Sequence, residues 1–429
     1  MYRKIFAQLE QWKNNPNRKP LIIQGARQVG KTWAMIEFGK THFESIAYIN
    51  FESNARLQSV FEDDFDIQRI ITVFKIETGI DIIPNETLLI LDEIQEAEKG
   101  LTALKYFCEN ASSYSIMAAG SLLGVSLQKN KSFPVGKVDF LELYPMSFEE
   151  FLINNNEKNL ANALTEQKWE VIRPFHEKLT QYLRLYYFVG GMPEAVKEFV
   201  QTGKFAQVRT IQNNIMRGYE NDFAKYAPIE LVPKIRMVWE SILGQLSKEN
   251  KKFIYAQLKE GARAKEFESA INWLTNAGIL LKSKKIKKTS LPLKTYADND
   301  VFKLYLLDIG LLNAMAEVRE QVLLFKNQIL TEFKGAMTEQ FVAQQIKEKF
   351  GLFYWTPEKA TAEIDFIIQQ NSGMVPIEVK AEENLKAKSL KVFAEKHKTQ
   401  NAIRTSMSPY RKEEWMENIP LYGIGFLPN

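Results

Sequence analysis

Apolar residues over Met1–Glu10 recur at helical spacing with charges between them, which predicts an amphipathic helix. The pattern then changes to short apolar runs. Leu21-Ile22-Ile23 and Ile46–Phe51 read as strands. Thr87–Leu91 is unbroken, as expected of a parallel strand buried on both faces, and Ser115–Ala119 reads as a further strand. Between them, Trp33–Phe38 and Leu104–Cys108 carry helical patterns. Ser147 and Glu150 form a capping box that opens another helix. A helical stretch is broken at Gly190-Gly191-Met192-Pro193, where the glycine pair permits a bend and Pro193 suits a first helical turn. Helical patterns over Ile235–Leu243 and Ala264–Leu274 end at Gly278. A strand at Ile279–Leu281 and a returning one at Phe302–Leu307 follow. The last third predicts an amphipathic helix at Thr338–Ile346 and strands at Phe353–Trp355, Glu363–Ile368 and Val375–Lys380. Asn371-Ser372-Gly373 is the turn between the last two, and the segments from Ala402 to Phe426 complete that sheet.

Chemistry enters at the first strand. It runs into Gly25-Ala26-Arg27-Gln28-Val29-Gly30-Lys31-Thr32, which matches G-x-x-x-x-G-K-[ST] in the required strand–loop–helix context. Glycines let the backbone N–H groups of this loop, with Gln28 and Val29 between Gly25 and Gly30, curl around phosphate oxygens. The helix N-terminus adds its positive dipole end. Lys31 reaches the β- and γ-phosphates of ATP, and the Thr32 hydroxyl ligates Mg²⁺. Thr87–Leu91 ends in Asp92-Glu93. Asp92 can hold the metal through water, and Glu93 can activate the attacking water. Ser121, at the tip of the next strand, reads equally as a γ-phosphate sensor and as a turn residue.

The chain has 429 residues and a net charge of +4, with 45% hydrophobic and 25% charged residues. That excludes a disordered chain and allows two to four domains. With one cysteine, Cys108, expected in a buried helix, and three scattered histidines, neither a disulfide scaffold nor a zinc site is expected. No segment reaches the ~18 uncharged apolar residues of a membrane span. The expected setting is a reduced cytoplasm without membrane attachment. So small a net charge names no partner; a basic surface has to be local. The sharpest basic cluster is Lys282–Lys288, read either as a phosphate-contacting wing or as a solvated loop whose lysines block edge pairing.

The C-terminal strands carry a second constellation. If they form a hairpin about Asn371–Gly373, Asp365 falls nearly opposite Glu378. Period-two alternation then puts Glu378 and Lys380 on one face. Two carboxylates on neighbouring strands suit Mg²⁺, and Lys380 beside them can position a water for attack on phosphorus.

These motifs carry two resemblances. The order of the N-terminal strands resembles AAA-type and signal-transducing P-loop ATPases, which use a glutamate for hydrolysis. In similar proteins an Arg usually follows the glycine where this chain has Lys137, and a Gly-Gly-x-Pro turn belongs to a helical lid. The D…E-x-K pattern resembles the PD-(D/E)xK nuclease superfamily, with Glu339 matching its first-helix acid and no Pro before Asp365. Gly190–Pro193 and Asp308-Ile309-Gly310 also match a family of bacterial and archaeal AAA-type ATPases with a C-terminal domain of unknown function. The resemblance implies a multidomain α/β chain. It comprises a P-loop parallel sheet over 1–155, a helical lid over 156–230, a winged helix over 231–320 and a restriction-endonuclease-like module over 321–429. It implies Lys31, Thr32, Asp92 and Glu93 as the ATPase site. Glu339, Asp365, Glu378 and Lys380 are implied as a metal-dependent site acting on DNA or RNA. The alternative is an ATP-dependent switch whose nuclease-like domain only binds a protein partner.

Overall fold

Short β-prone runs separated by helices need a sheet on which to stack, and the N-terminal runs find one. In the computed structural model, which describes residues 1–120, 134–248, 251–324, 331–357, 363–371, 373–382, 387–397, 399 and 401–428, the chain forms two units. The first holds Tyr2–Tyr144 with Asn276–Gly278, and the second holds 145–275 and 279–429 with Met1. The sequence suggested four segments; apart from Asn276–Gly278, residues 156–429 lie in one unit.

The first unit is a five-stranded parallel sheet flanked by helices. Its strands are β1 (Leu21–Gln24), β2 (Ser45–Asn50), β3 (Thr87–Asp92), β4 (Ser115–Ala119) and β5 (Asp139–Glu142), in the order β2-β3-β4-β1-β5. The helices are α1 (Ile5–Asn14), α2 (Lys31–His42), α3 (Ile67–Thr78) and α4 (Gly100–Asn110). Every residue of β3 and β4 is buried, which is why those runs carry no polar alternation. Asp66 caps α3 by accepting from Gln68 N and Arg69 N, and Gly79 closes it in the left-handed region. Phe74 packs edge to face with Phe51 and Phe61 in the core of this unit. Cys108 lies in α4 and is half-buried, beside the buried core positions Leu104 and Phe107.

The second unit joins helices to an eight-stranded mixed sheet. Its strands are β6 (Leu280–Ile286), β7 (Ala297–Leu306), β8 (Phe353–Trp355), β9 (Ile364–Gln370), β10 (Gly373–Val379), β11 (Ala402–Ser406), β12 (Arg411–Lys412) and β13 (Met416–Pro420). The order is β12-β13-β11-β10-β9-β8-β6-β7. The two strands expected around Lys282–Lys288 pair as the antiparallel hairpin β6–β7, but it is not a free ribbon. β6 pairs in parallel with β8 through Lys284↔Phe353 and Lys285↔Tyr354, which makes the hairpin the edge of the C-terminal sheet. An isolated two-stranded hairpin is marginal in water, and joining the larger sheet removes that weakness. Behind β6, β8 and β9 sits a core of Ile286, Phe353, Trp355 and Ile367, closed by Leu390 and Phe393 of the helix Lys388–His397.

The two glycine motifs of this unit interlock. A Cβ on Gly190 would lie 2.2 Å from Asp308 Oδ1, and one on Gly310 would lie 2.6 Å from the Val189 carbonyl. Gly190 itself has φ 71°, a backbone state open to glycine. Asp308 accepts from Gly191 N at 2.6 Å, from Leu311 N at 3.0 Å and from Gln344 Nε2 at 3.0 Å. The Gly-Gly-x-Pro turn is therefore docked onto Asp308-Ile309-Gly310 by backbone approach. Ser147 and Glu150 form the expected capping box on the helix Phe148–Asn154. Among the described residues no helix is long and apolar enough to cross a membrane.

Candidate functional site

The loop between β1 and α2 takes its shape from its residues. Gly25 has φ 148°, and a Cβ there would stand 2.2 Å from the Leu143 carbonyl oxygen. Gln28 and Gly30 also have positive φ, at 65° and 91°. This alternation turns successive N–H groups toward one point, an anion cradle at the start of α2. The Lys31 ammonium donates to the carbonyls of Gly25 at 2.9 Å and Ala26 at 2.8 Å. Burial lowers its pKa to about 8, although the charges of Glu93 and Asp92 pull the other way. Behind the loop, Arg3 is buried and donates to Val29 O at 3.0 Å and Tyr144 O at 2.7 Å. The sequence pattern did not single out this brace, since Arg3 stands beside Lys4 just ahead of the helix.

Opposite Lys31, at the end of β3, Asp92 is buried. Its Oδ2 accepts from Thr32 Oγ1 at 2.7 Å and from Tyr48 OH at 2.9 Å, and its Oδ1 accepts from Glu93 N at 3.1 Å. Burial raises the Asp92 pKa, and the hydrogen bonds oppose the rise. Tyr48 is pushed up to about 12, first by burial. Glu93 stands in the left-handed region at φ 49°, and Gln95 Nε2 donates to its Oε2 at 2.5 Å. Gln95 thus positions the proposed water-activating carboxylate, another residue that pattern alone missed. Lys137 pairs with Glu109 at 3.0 Å. Ser121 lies outside the described residues.

This arrangement fits a metal–nucleotide complex. A glycine-shaped cradle, a lysine held at the loop and a buried Thr32–Asp92 oxygen pair supply the right donors. Thr32 and Asp92 are the residues that would hold Mg²⁺, whose chemistry is to neutralise phosphate oxygens.

The second constellation differs from expectation. Register places Asp365 and Glu378 opposite one another, one pair beyond Phe366↔Ile377, and Lys380 Nζ lies 2.7 Å from Glu378 Oε1. The hairpin and the E-x-K pairing are formed. Glu339, on the helix Thr331–Lys347, is instead claimed by cations of the chain itself. Its Oε1 accepts from Lys251, while its Oε2 accepts from Tyr305 OH at 3.1 Å and lies 3.5 Å from Lys303 Nζ. Lys303, fully buried on β7, also pairs with Glu363 and sits 4.9 Å from the centre of the Tyr354 ring. Burial alone would raise the Glu339 pKa, but Lys303 and Lys251 outweigh it and hold it down at about 2. Asp365 goes the other way: burial, then the Glu339 charge, lift it to about 7. Its Oδ2 accepts from Val379 N at 2.8 Å. Among the described residues, no group of three or more His, Cys, Asp or Glu side chains is arranged to hold a metal ion. Of the three carboxylates expected at a metal site, Glu339 thus faces the ammonium groups of Lys251 and Lys303. Glu378 Oε2 is buried without a hydrogen-bond partner.

The first unit has a parallel-sheet P-loop ATPase fold, and its AAA-domain match supports an ATP hydrolase. Residues 17–152 match the family model described as an AAA domain. Residues 180–322 and 334–424 match two domains of unknown function, DUF8612 and DUF4143. No curated protein matches the chain. Solved structures to which the chain is similar include a Walker-type ATPase of Pyrococcus abyssi, at 13% identity and TM-score 0.45 over 73% of this chain and 95% of that one. Another is the Aeropyrum pernix ORC1 protein in complex with DNA, at 13% identity and TM-score 0.32 over 74% and 93%. A third is Cdc6p from Pyrobaculum aerophilum, at 13% identity and TM-score 0.25 over 73% and 92%.

Proposed function

We propose that the protein is a Mg²⁺-dependent ATPase whose nucleotide cycle sets the state of a C-terminal module that grips nucleic acid. Lys31 and the loop N–H groups bind the phosphates. Thr32 and Asp92 hold the metal. Glu93, steadied by Gln95, takes the proton from the attacking water. The single observation behind the ATPase reading is the Lys31–Thr32–Asp92–Glu93 arrangement around a glycine-shaped loop. The binding reading of the module rests on Lys303 and Lys251, which neutralise Glu339 from within.

Cleavage by a PD-(D/E)xK-like site is the second reading. It is favoured by the Glu378–Lys380 pair and by the unpartnered Glu378 Oε2. ATP turnover by wild type and Glu93→Gln tests the first reading: the variant should bind ATP and hardly hydrolyse it. DNA and RNA incubated with Mg²⁺ or Mn²⁺ separate the other two. Cleavage that is lost in Asp365→Ala supports a nuclease, and intact substrate in both proteins supports binding.

A further inference from the structure

The lysine run Lys282–Lys288 does not act as one patch. Lys282 lies over the Phe302 ring at 4.0 Å, and Lys284 donates to Asn299 Oδ1 at 2.9 Å. Lys285, Lys287 and Lys288 turn instead into a groove of about 980 Å³, where Lys252 and Lys396 join them from distant parts of the chain. Five lysines thus meet across three segments. Among the described residues the one carboxylate in the lining is Asp298, which pairs with Lys287 at 3.4 Å. The imidazole of His397 adds no charge near neutral pH, since burial and then Lys396 push its pKa down. A net positive concavity of this kind attracts a chain of negative charges.

The kind of cation and the state of the aromatic rings narrow the ligand. All five are lysines, point charges without the planar fork that reads base edges. Lys288 leans over Tyr296 at 5.6 Å and Lys396 over Trp355 at 5.9 Å, so their stems are propped while the ammonium groups stay exposed. The rings that line the groove are not available for base stacking. Tyr354 is 1% exposed and Trp355 8%, the latter edge-on to Phe393 and His397. Single-strand binding depends on exposed rings; this groove offers only charge.

We propose that the groove bounded by Lys252, Lys285, Lys287, Lys288 and Lys396 seats the phosphodiester backbone of double-stranded nucleic acid without reading its sequence. The proposal rests on the nucleic-acid reading above and gives it a location. Tyr354 lines this groove and also faces the Lys303 ammonium, so a seated backbone lies next to the Glu339–Lys303–Asp365 cluster.

The test is fluorescence anisotropy with a labelled DNA duplex over a range of salt, using the full chain and two charge-matched variants. The first is Lys285→Glu/Lys288→Glu/Lys396→Glu. The second is Lys197→Glu/Lys204→Glu/Lys158→Glu, which reverses the same number of lysines outside the groove. Each phosphate contact contributes a slope of about −0.9 in log affinity against log salt. The groove variant should therefore flatten the slope by about 2–3 and weaken binding on the order of 100-fold at ~0.1 M salt. The other variant should bind like wild type, and two unrelated duplex sequences should bind alike. If wild type binds the duplex and the groove variant matches it in affinity and slope, the groove is wrong and the nucleic-acid reading stands. If wild type binds no duplex, or prefers single strands, the proposal fails. ATP turnover of the groove variant, expected at the wild-type rate, shows that the chain is folded.

Discussion

Asp308 is the residue on which the second unit should depend most visibly. It is fully buried and ionised near neutral pH. Burial lifts its pKa to about 6, against the hydrogen bonds from Gly191 and Leu311 that hold it down. Asp308→Ala leaves the N–H groups of Gly191 and Leu311 and the Gln344 amide without this acceptor. Each buried donor so orphaned costs about 1–3 kcal/mol. Against that, the variant no longer carries the penalty of burying the charge. A rise from the ordinary 3.8 to about 6 corresponds to about 3 kcal/mol. With about 2 kcal/mol for each of the three donors, the expected net loss is about 3 kcal/mol at pH 7. Asp308→Asn should be nearly as damaging, because its amide would set an NH₂ against a backbone N–H. The pH dependence has a definite sign. A carboxyl whose folded pKa is raised contributes stability present below 3.8 and lost as pH rises through about 6. The gap between wild type and Asp308→Ala should therefore be wider at pH 5 than at pH 7 by about 1 kcal/mol, with the other carboxylates cancelling in the difference. Urea denaturation at the two pH values measures the gap. Amide hydrogen exchange at Gly191 and Leu311 shows whether the loss is local to the interlock. A gap below about 1 kcal/mol at pH 7, or one that narrows at pH 5, refutes the reasoning.

Three further outcomes are expected. ATP affinity should hold steady below pH 8 and fall about tenfold per pH unit above it, because Lys31 titrates at about 8 and nucleotide binding must then restore its proton. Calorimetric titrations at pH 7 and 9.5 check this, and equal affinities would falsify it. Chelating Mg²⁺ should abolish turnover, and Thr32→Ala should raise the Mg²⁺ concentration needed for half-maximal turnover, since Thr32 shares the buried oxygen pair with Asp92. Lys303→Met should destabilise the second unit by about 3–5 kcal/mol, the cost of leaving a buried carboxylate without its partner. Adding Glu339→Gln should recover much of that loss in a double-mutant cycle, and an additive result would show that the pair is not coupled.

What the sequence made legible is set by distance along the chain. The phosphate loop was readable because its strand, glycines, lysine and helix are contiguous, and the Asp92-Glu93 step because a buried strand announces its own end. Arg3 was not readable, since the carbonyls it braces lie 26 and 141 residues away. The Gly190–Pro193 and Asp308–Gly310 motifs were each visible, yet nothing in either says that one exists to admit the other. A glycine pair beside a proline fits a lid turn as well as a docking turn, and only the approach of the Gly310 backbone separates them.

Lys303 shows why the C-terminal site was read only halfway. Pattern reasoning finds acids and bases that share a motif, and Asp365, Glu378 and Lys380 do. The cation that changes their chemistry sits on a strand from another segment, one lysine between Phe302 and Leu304 in an otherwise apolar run. Such a break in a buried strand costs several kcal/mol unless a partner neutralises it. The lone lysine was therefore itself evidence of a buried carboxylate, and Glu339 and Glu363 supply it. The same sheet extension that delivers Lys303 to Glu339 also lays Lys285–Lys288 beside Tyr354. Once β6 and β7 join the C-terminal sheet, the buried charge cluster and the basic groove become two sides of one edge. A duplex on the outer side would then bear on the same strands that fix the inner one.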